Sequence, residues 1–158
     1  MTAAVTCREA QAGDAPALHA LLQALADHDG AGKVGPLAAL LQHGFGPRPL
    51  FRAILAERDA DPVGMVLFYP DYSTLRGQPG IYVQDFYVVE ACRGLGIGRQ
   101  LLGQALRSAQ DWGAEYLTLG VDPGNDAAKK IYAAMGFRTR GYEFLILDGA
   151  GLDALRLP

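Results

Sequence analysis

At 158 residues, half of them apolar, the chain has the length and apolar content of one ordinary domain able to bury its own core. Fourteen basic residues against seventeen acidic ones leave a formal charge of −3, which gives a phosphate backbone no attracting field and argues against nucleic-acid binding as the main work. Cys7 and Cys92 match no metal or redox spacing, and His19, His28 and His43 fall at no ligand-like spacing. No basic-then-apolar leader opens the chain and no run approaches the ~20 apolar residues that cross a bilayer, so the expectation is one cytoplasmic, metal-free domain over 1–158.

In chain order, Val5–Glu9 is predicted as a short strand, and Asp14 opens a helix in which Leu18, Leu21, Leu22 and Leu25 share one face. "DHDGAGKVG" ends that helix, and a second, short one is expected over 36–42 before the turn-rich "HGFGPRP". Residues 51–57 and 63–69 read as a hairpin joined through "RDADP", whose acidic residues and proline have turn chemistry. "DYSTLRGQPG" reads as a loop. Residues 81–89 are a continuous apolar and aromatic run of the central-strand kind, interrupted only by Gln84 and Asp85. Ile97, Leu101, Leu102, Ala105, Leu106, Ala109 and Trp112 then recur at helical spacing, with Gly113 as the stop. Residues 116–121 alternate as a strand, 126–135 form a short helix closed by Gly136, and 137–139 and 142–147 read as closing strands. The front half is antiparallel in this reading and the strand–helix–strand unit parallel, so the fold class is α/β with a mixed sheet.

Between the central strand and the helix after it stands "ACRGLGIGRQLL", with glycines at 94, 96 and 98. A strand that feeds a glycine loop and then a helix aims several backbone N–H groups at one spot, with the positive end of the helix dipole behind them. That makes an anion site; a tight turn that only packs uses the same three glycines. The dinucleotide fingerprint fails, because the last glycine position falls on Arg99 or Leu101, and a P-loop fails for want of Gly-Lys-Ser/Thr. What remains is Arg93-x-x-Gly96-x-Gly98.

This pattern resembles the acetyl-CoA signature of the GNAT N-acetyltransferase superfamily, Arg/Gln-x-x-Gly-x-Gly/Ala. "NDAAKKIYAAMGF" is similar to the second signature of that family. "HGFGPRPLFRAILAE", "YSTLRGQPGIYVQDFYV" and "RGLGIG" together resemble the diamine (spermidine/spermine) and thialysine acetyltransferase branch. The resemblance implies a mixed, mostly antiparallel twisted sheet flanked by helices, acetyl-CoA as co-substrate, a small-molecule primary amine as acceptor and a homodimer. It implies that Arg93, Gly94, Leu95, Gly96, Ile97, Gly98 and Arg99 hold the CoA pyrophosphate and that Asn125 and Ala128 approach CoA. The backbone of Phe86, Tyr87 and Val88 would align the pantetheine arm and meet the oxyanion.

Acyl transfer from a thioester to an amine needs a neutral amine, a stabilised oxyanion and a proton for the departing thiolate. The resemblance makes Tyr132 the candidate for the last; without it, packing beside Ala128, Ile131 and Met135 is the preferred reading. A phenol near pKa ~10 facing a thiol near ~8.5 is mismatched by roughly 2 kcal/mol, within reach of a positioned donor. Deprotonating an amine of pKa ~10.4 at pH 7 costs roughly 4 to 5 kcal/mol, so a proton route is needed. The branch carries Glu-Asp on its central strand where this chain has Gln84-Asp85. An amide orients but does not accept the proton, which leaves Asp85 or a water chain as acceptor, and only a β-bulge would let both neighbours reach the substrate. His28 and Asp29 match the pair of the branch that holds a cationic tail. Two alternatives stay open: a GNAT enzyme acting on an amino acid, an antibiotic amine or a peptide N-terminus, and a domain that binds acetyl-CoA as a sensor without turnover.

Overall fold

The apolar runs of the first 120 residues become one sheet. In the computed structural model, which describes residues 4–158, β1 (Val5–Glu9), β2 (Arg52–Arg58), β3 (Asp61–Ser73) and β4 (Gln78–Val88) pair antiparallel in chain order. The short β5 (Leu117–Leu119) joins β4 in parallel, giving the order β1-β2-β3-β4-β5 and the mixed sheet expected. Residues 1–3 of the expected domain lie outside the described residues. The chain divides into two compact units, one ending at Gly120 and the other running from Val121 to Pro158.

In the first unit the helices α1 (Ala15–Asp29), α2 (Leu37–Phe45) and α3 (Ile97–Ser108) accompany the sheet. Alternation along the strands assigns each residue to a face. Leu18, Leu21 and Leu22 of α1 pack with Ala53, Leu55, Met65 and Leu67, and Tyr87 and Val89 lie against the same cluster. The intervening residues serve the α3 face: Ile54, Val66, Phe68, Ile81 and Val83 are buried, as are Ile97 and Leu101 of α3. A Cβ on Gly64 would stand 3.2 Å from Leu101 Cδ1, so α3 sits close on the sheet where β3 has no side chain.

The distal end of α3 is tied to β2. The Arg52 guanidinium donates to Asp111 Oδ1 at 2.7 Å and Oδ2 at 2.6 Å, donates to the Ser108 carbonyl at 2.6 Å, and lies 4.1 Å above the Trp112 ring. Trp112 in turn meets Phe68 edge-on, ring centroids 5.9 Å apart. One arginine thus satisfies a helix-end carbonyl, a carboxylate and an aromatic face together.

Two turns differ from the sequence expectation. Most of the stretch read as a loop over 71–80 is strand: β3 runs to Ser73 and β4 begins at Gln78, so only residues 74–77 turn, with Gly77 at φ 63°. Between β2 and β3 the turn falls on Asp59 and Ala60, both left-handed at φ 53° and 66°, while Pro62 is already in β3. Two consecutive positive φ values suit the twist of a two-residue hairpin.

In the second unit, α4 (Asp126–Ala134) forms as expected, and α5 (Gly149–Arg156), with two glycines in eight residues, carries no strong sequence signal. The closing strands expected over 137–139 and 142–147 do not form. Phe144, Leu145 and Ile146 are exposed, and their apolar pattern alone does not make a strand.

Ala60→Gly is expected to raise stability by roughly 0.5–1 kcal/mol, because a left-handed alanine is strained and a glycine is not. Urea unfolding with an unchanged m-value checks this, and a destabilised variant would show that the turn is not limited by that strain.

Candidate active site

Along the β3–β4 ladder Leu67 pairs with Asp85 and Phe68 with Val83, which leaves Gln84 as the extra residue of a β-bulge. The extra residue changes which way its neighbours face. Phe86 lies on the α3 side, its ring tip 2.9 Å from where a Cβ on Gly98 would be. Asp85, one residue earlier and in register with Leu67, faces the α1 side. Gln84 reaches the same side, where the Tyr69 hydroxyl donates to its Oε1 at 3.1 Å. Adjacent strand residues that would otherwise diverge are thereby presented together.

Helix α1 ends at Asp29, where Gly30, left-handed at φ 67°, closes the helix by donating to Ala26 and Asp27 carbonyls. Burial pushes the Asp85 carboxyl above the ordinary carboxylate range, and the negative charge of Asp29 pushes it further. A raised pKa makes the ionised Asp85 a stronger proton acceptor than an ordinary aspartate, and the charges of Asp85 and Asp29 together favour a cation nearby. His28 stands beside Asp29 on the exposed last turn.

Past Val88 the chain turns through Glu90–Cys92 into the glycine loop. Arg93 Nε donates to the Val88 carbonyl at 2.9 Å, and its guanidinium lies 5.5 Å from the Tyr87 ring centre, which fixes the start of the loop to the end of β4. Gly94 and Gly96 are both left-handed at φ 77°, and a Cβ on either would meet nothing within 4 Å. Gly96 is the residue that opens α3, so Ile97, Gly98 and Arg99 present the first N–H groups of the helix beside open space. The three glycines therefore have two tasks. Gly94 and Gly96 supply backbone conformation and clearance, and Gly98 lets α3 close on Phe86.

Asn125, Ala128 and Tyr132 belong to the second unit. Asn125 caps α4, its Oδ1 accepting from the Ala128 N–H at 3.1 Å. Tyr132 lies on α4 with its ring centre 5.3 Å from that of Phe137, and its carbonyl accepts the Phe137 N–H at 3.0 Å. Within the first unit the structure brings Gln84, Asp85 and Asp29 to one side of the sheet. It also adds residues the sequence reading missed: Tyr69 and Tyr82, cross-strand partners stacked with centroids 5.3 Å apart. Their only signal was two aromatics flanking 71–80, a stretch that reads as loop until the hairpin is seen.

Among the described residues no group of three or more His, Cys, Asp and Glu could hold a metal ion, and no helix is long and apolar enough to cross a membrane. The model of the acetyltransferase (GNAT) family matches residues 18–137. The chain belongs to that family. This GNAT chain is 33% identical over 142 residues to a Bos taurus protein named thialysine N-epsilon-acetyltransferase, covering 84% of this chain and 83% of that protein. A Homo sapiens protein named spermidine/spermine N(1)-acetyltransferase-like protein 1 is 32% identical over 138 residues, which span 82% of this chain but 20% of that one. Among solved structures, aminoglycoside N-acetyltransferase AAC(6')-Iy in complex with CoA matches with a TM-score of 0.77 at 17% identity, over 94% of this chain and 97% of that one. At that identity the likeness is one of fold. The GNAT chain is an N-acetyltransferase with the mixed, mostly antiparallel sheet of its family.

Because Asp85 has a folded pKa above its unfolded value, its ionisation weakens the fold as pH rises from the ordinary carboxylate range through the raised one. Asp85→Asn is expected to melt a few degrees higher than the wild type at pH 7–8, with the gain vanishing as pH falls below ~4. Thermal melts across that range check the sign; a variant less stable at pH 8 would show that the carboxylate is held by compensating partners.

Proposed function

We propose that the chain transfers the acetyl group of acetyl-CoA to a primary amine of a small molecule, a polyamine, diamine or lysine-like amine. The observation that carries this reading is the bulge at Gln84, which puts Asp85 on the side of the sheet where Asp29 acts on it. Two acidic groups there suit an ammonium, and one of them, raised in pKa, suits the removal of its proton. The relatives from Bos taurus and Sus scrofa, at 33% and 32% identity, are named for the Nε amine of thialysine.

The glycine loop fits the coenzyme on the chain's own geometry: two left-handed glycines with open space over them, the first amides of α3, and the cationic Arg93 and Arg99. When bound, acetyl-CoA supplies an activated acetyl thioester. Arg93, Gly94, Leu95, Gly96, Ile97, Gly98 and Arg99 would hold its pyrophosphate. The β5 ladder ends at Val83 while β4 runs to Val88, so Phe86, Tyr87 and Val88 would align the pantetheine arm and stabilise developing negative charge through their backbone amides. Asn125 and Ala128 would approach the coenzyme at the head of α4.

Asp85 accepts the proton of the amine, directly or through water, and Asp29 with His28 holds the cationic remainder of the substrate. Gln84 orients the acceptor without taking its proton. Tyr132 keeps a proton on its hydroxyl for the leaving sulfur. Two chains pair as a homodimer in this reading, and the enzyme works in the cytoplasm.

Tyr132→Phe is expected to lower kcat about 10²-fold or more with CoA affinity nearly unchanged. Turnover followed by thiol release, with CoA binding by calorimetry, checks both halves. Unchanged turnover would remove Tyr132 from the chemistry, and absent CoA binding in the wild type would overturn the acetyl-transfer reading as a whole.

A further inference from the structure

Asp29 can serve an acceptor amine only if the helix end that carries it stays in place. Residues 30–36 join α1 to α2 and include glycines at 30, 32 and 35, the first two left-handed at φ 67° and 89°. A Cβ on any of the three would meet nothing within 4 Å, so packing does not hold these positions. Residues 27–33 are all exposed, and a glycine loop without support leaves the last turn of the helix before it free to fray.

The support comes from one carboxamide. Gln23 Oε1 accepts the Val34 N–H at 3.1 Å, while Nε2 donates to the Gly32 carbonyl at 3.0 Å and to Asp27 Oδ1 at 2.9 Å. Turning the amide over would set its NH2 against the Val34 N–H and its oxygen against a carbonyl and a carboxylate, so a single orientation satisfies all three partners. One planar group thus joins the middle of α1, its last turn and both sides of Lys33. Val34 itself packs on the α1 cluster, and farther along His19 Nε2 donates to the Gly35 carbonyl at 2.8 Å.

We propose that Gln23 is a positioning residue for the acceptor amine: by fastening Asp27 and the glycine loop back to α1, it holds the last turn of the helix, and with it Asp29, at the acceptor site. The inference rests on the reading of Asp29 as the group that holds the cationic part of the substrate, and it names the residue on which that placement depends. From the elements packed against it, Asp85 is faced by Asp29 of α1 and by the Tyr69 phenol of β3, which stays neutral where carboxylates titrate. The charge of Asp29 raises the Asp85 carboxyl, so displacing Asp29 lowers it. Loosening that merely wets Asp85 lowers it too, but only an effect exerted through Asp29 disappears once Asp29 is neutral.

The test titrates Asp85 in the free protein, by NMR of its carboxyl carbon, in the wild type, Gln23→Leu, Asp29→Asn and the double variant. Gln23→Leu, which keeps an apolar side chain and removes the three bonds, is expected to move the titration to lower pH, by less than Asp29→Asn does, and to add nothing in the Asp29→Asn background. In turnover with cadaverine, Gln23→Leu should raise KM for the amine about three- to fivefold, the scale of one solvent-facing ion pair, with kcat and KM for acetyl-CoA nearly unchanged. A titration that Asp29→Asn moves and Gln23→Leu does not overturns the inference and leaves the reading of the acceptor site standing. A Gln23→Leu shift that persists in the Asp29→Asn background, or a rise in KM shared equally by acetyl-CoA, marks Gln23 as merely structural and overturns it as well. A titration unmoved by Asp29→Asn overturns the placement of Asp29 and the inference with it. Titrations as expected without turnover of cadaverine count against the proposed amine class and for the positioning of Asp29.

Discussion

One extra residue in β4 is the constraint on which the site depends. With strict alternation, Gln84 and Asp85 would point to opposite faces, and either Asp85 would enter the apolar layer under α3 while Phe86 left it, or Gln84 would enter while Val83 left. The bulge at Gln84 resolves the conflict by letting Val83 and Phe86 both serve the α3 side while the two polar residues between them serve the α1 side. A polar pair can then sit within β4 without breaking the core on either side of it.

That arrangement explains the shape of the electrostatics. Asp85 is half-buried because it occupies a core-facing register position next to the α1 cluster, and its carboxyl is raised for that reason before the charge of Asp29 is counted. Asp29 is brought there by the end of α1, whose last turn is closed by a left-handed glycine. Neither residue contributes to the stability of the free protein through the other. Their proximity makes physical sense as an affinity for positive charge, and Gln84, neutral beside them, keeps a third negative charge out of the same space.

Much of the site was legible in the sequence where the signal is local. Arg93-x-x-Gly96-x-Gly98 and the helical spacing from Ile97 onward depend on backbone chemistry within a few residues, and the loop and α3 stand where those residues predict. The need for a bulge at Gln84-Asp85 was legible from alternation, though its register with Leu67 and Phe68 was not, because pairing is decided between strands. The partnership of Tyr69 with Tyr82 was hidden for the same reason, behind a stretch whose proline and glycines imitate a loop. Residues 142–147 show the opposite failure: apolar alternation predicts a strand where none forms. The double use of the glycines, conformation at 94 and 96 and clearance at 98, is visible only once Phe86 is seen beneath the helix.

The fastening of α3 at both ends has a further meaning. Its first turn rests on Phe86 through Gly98, and its far end is gripped by Arg52 through Asp111, Ser108 and Trp112. A helix pinned like a beam at two supports has little freedom to pivot, so the amides at its head are already aimed when a guest arrives. The entropy of arranging them is lost once, when the chain folds, and little more is surrendered at each encounter.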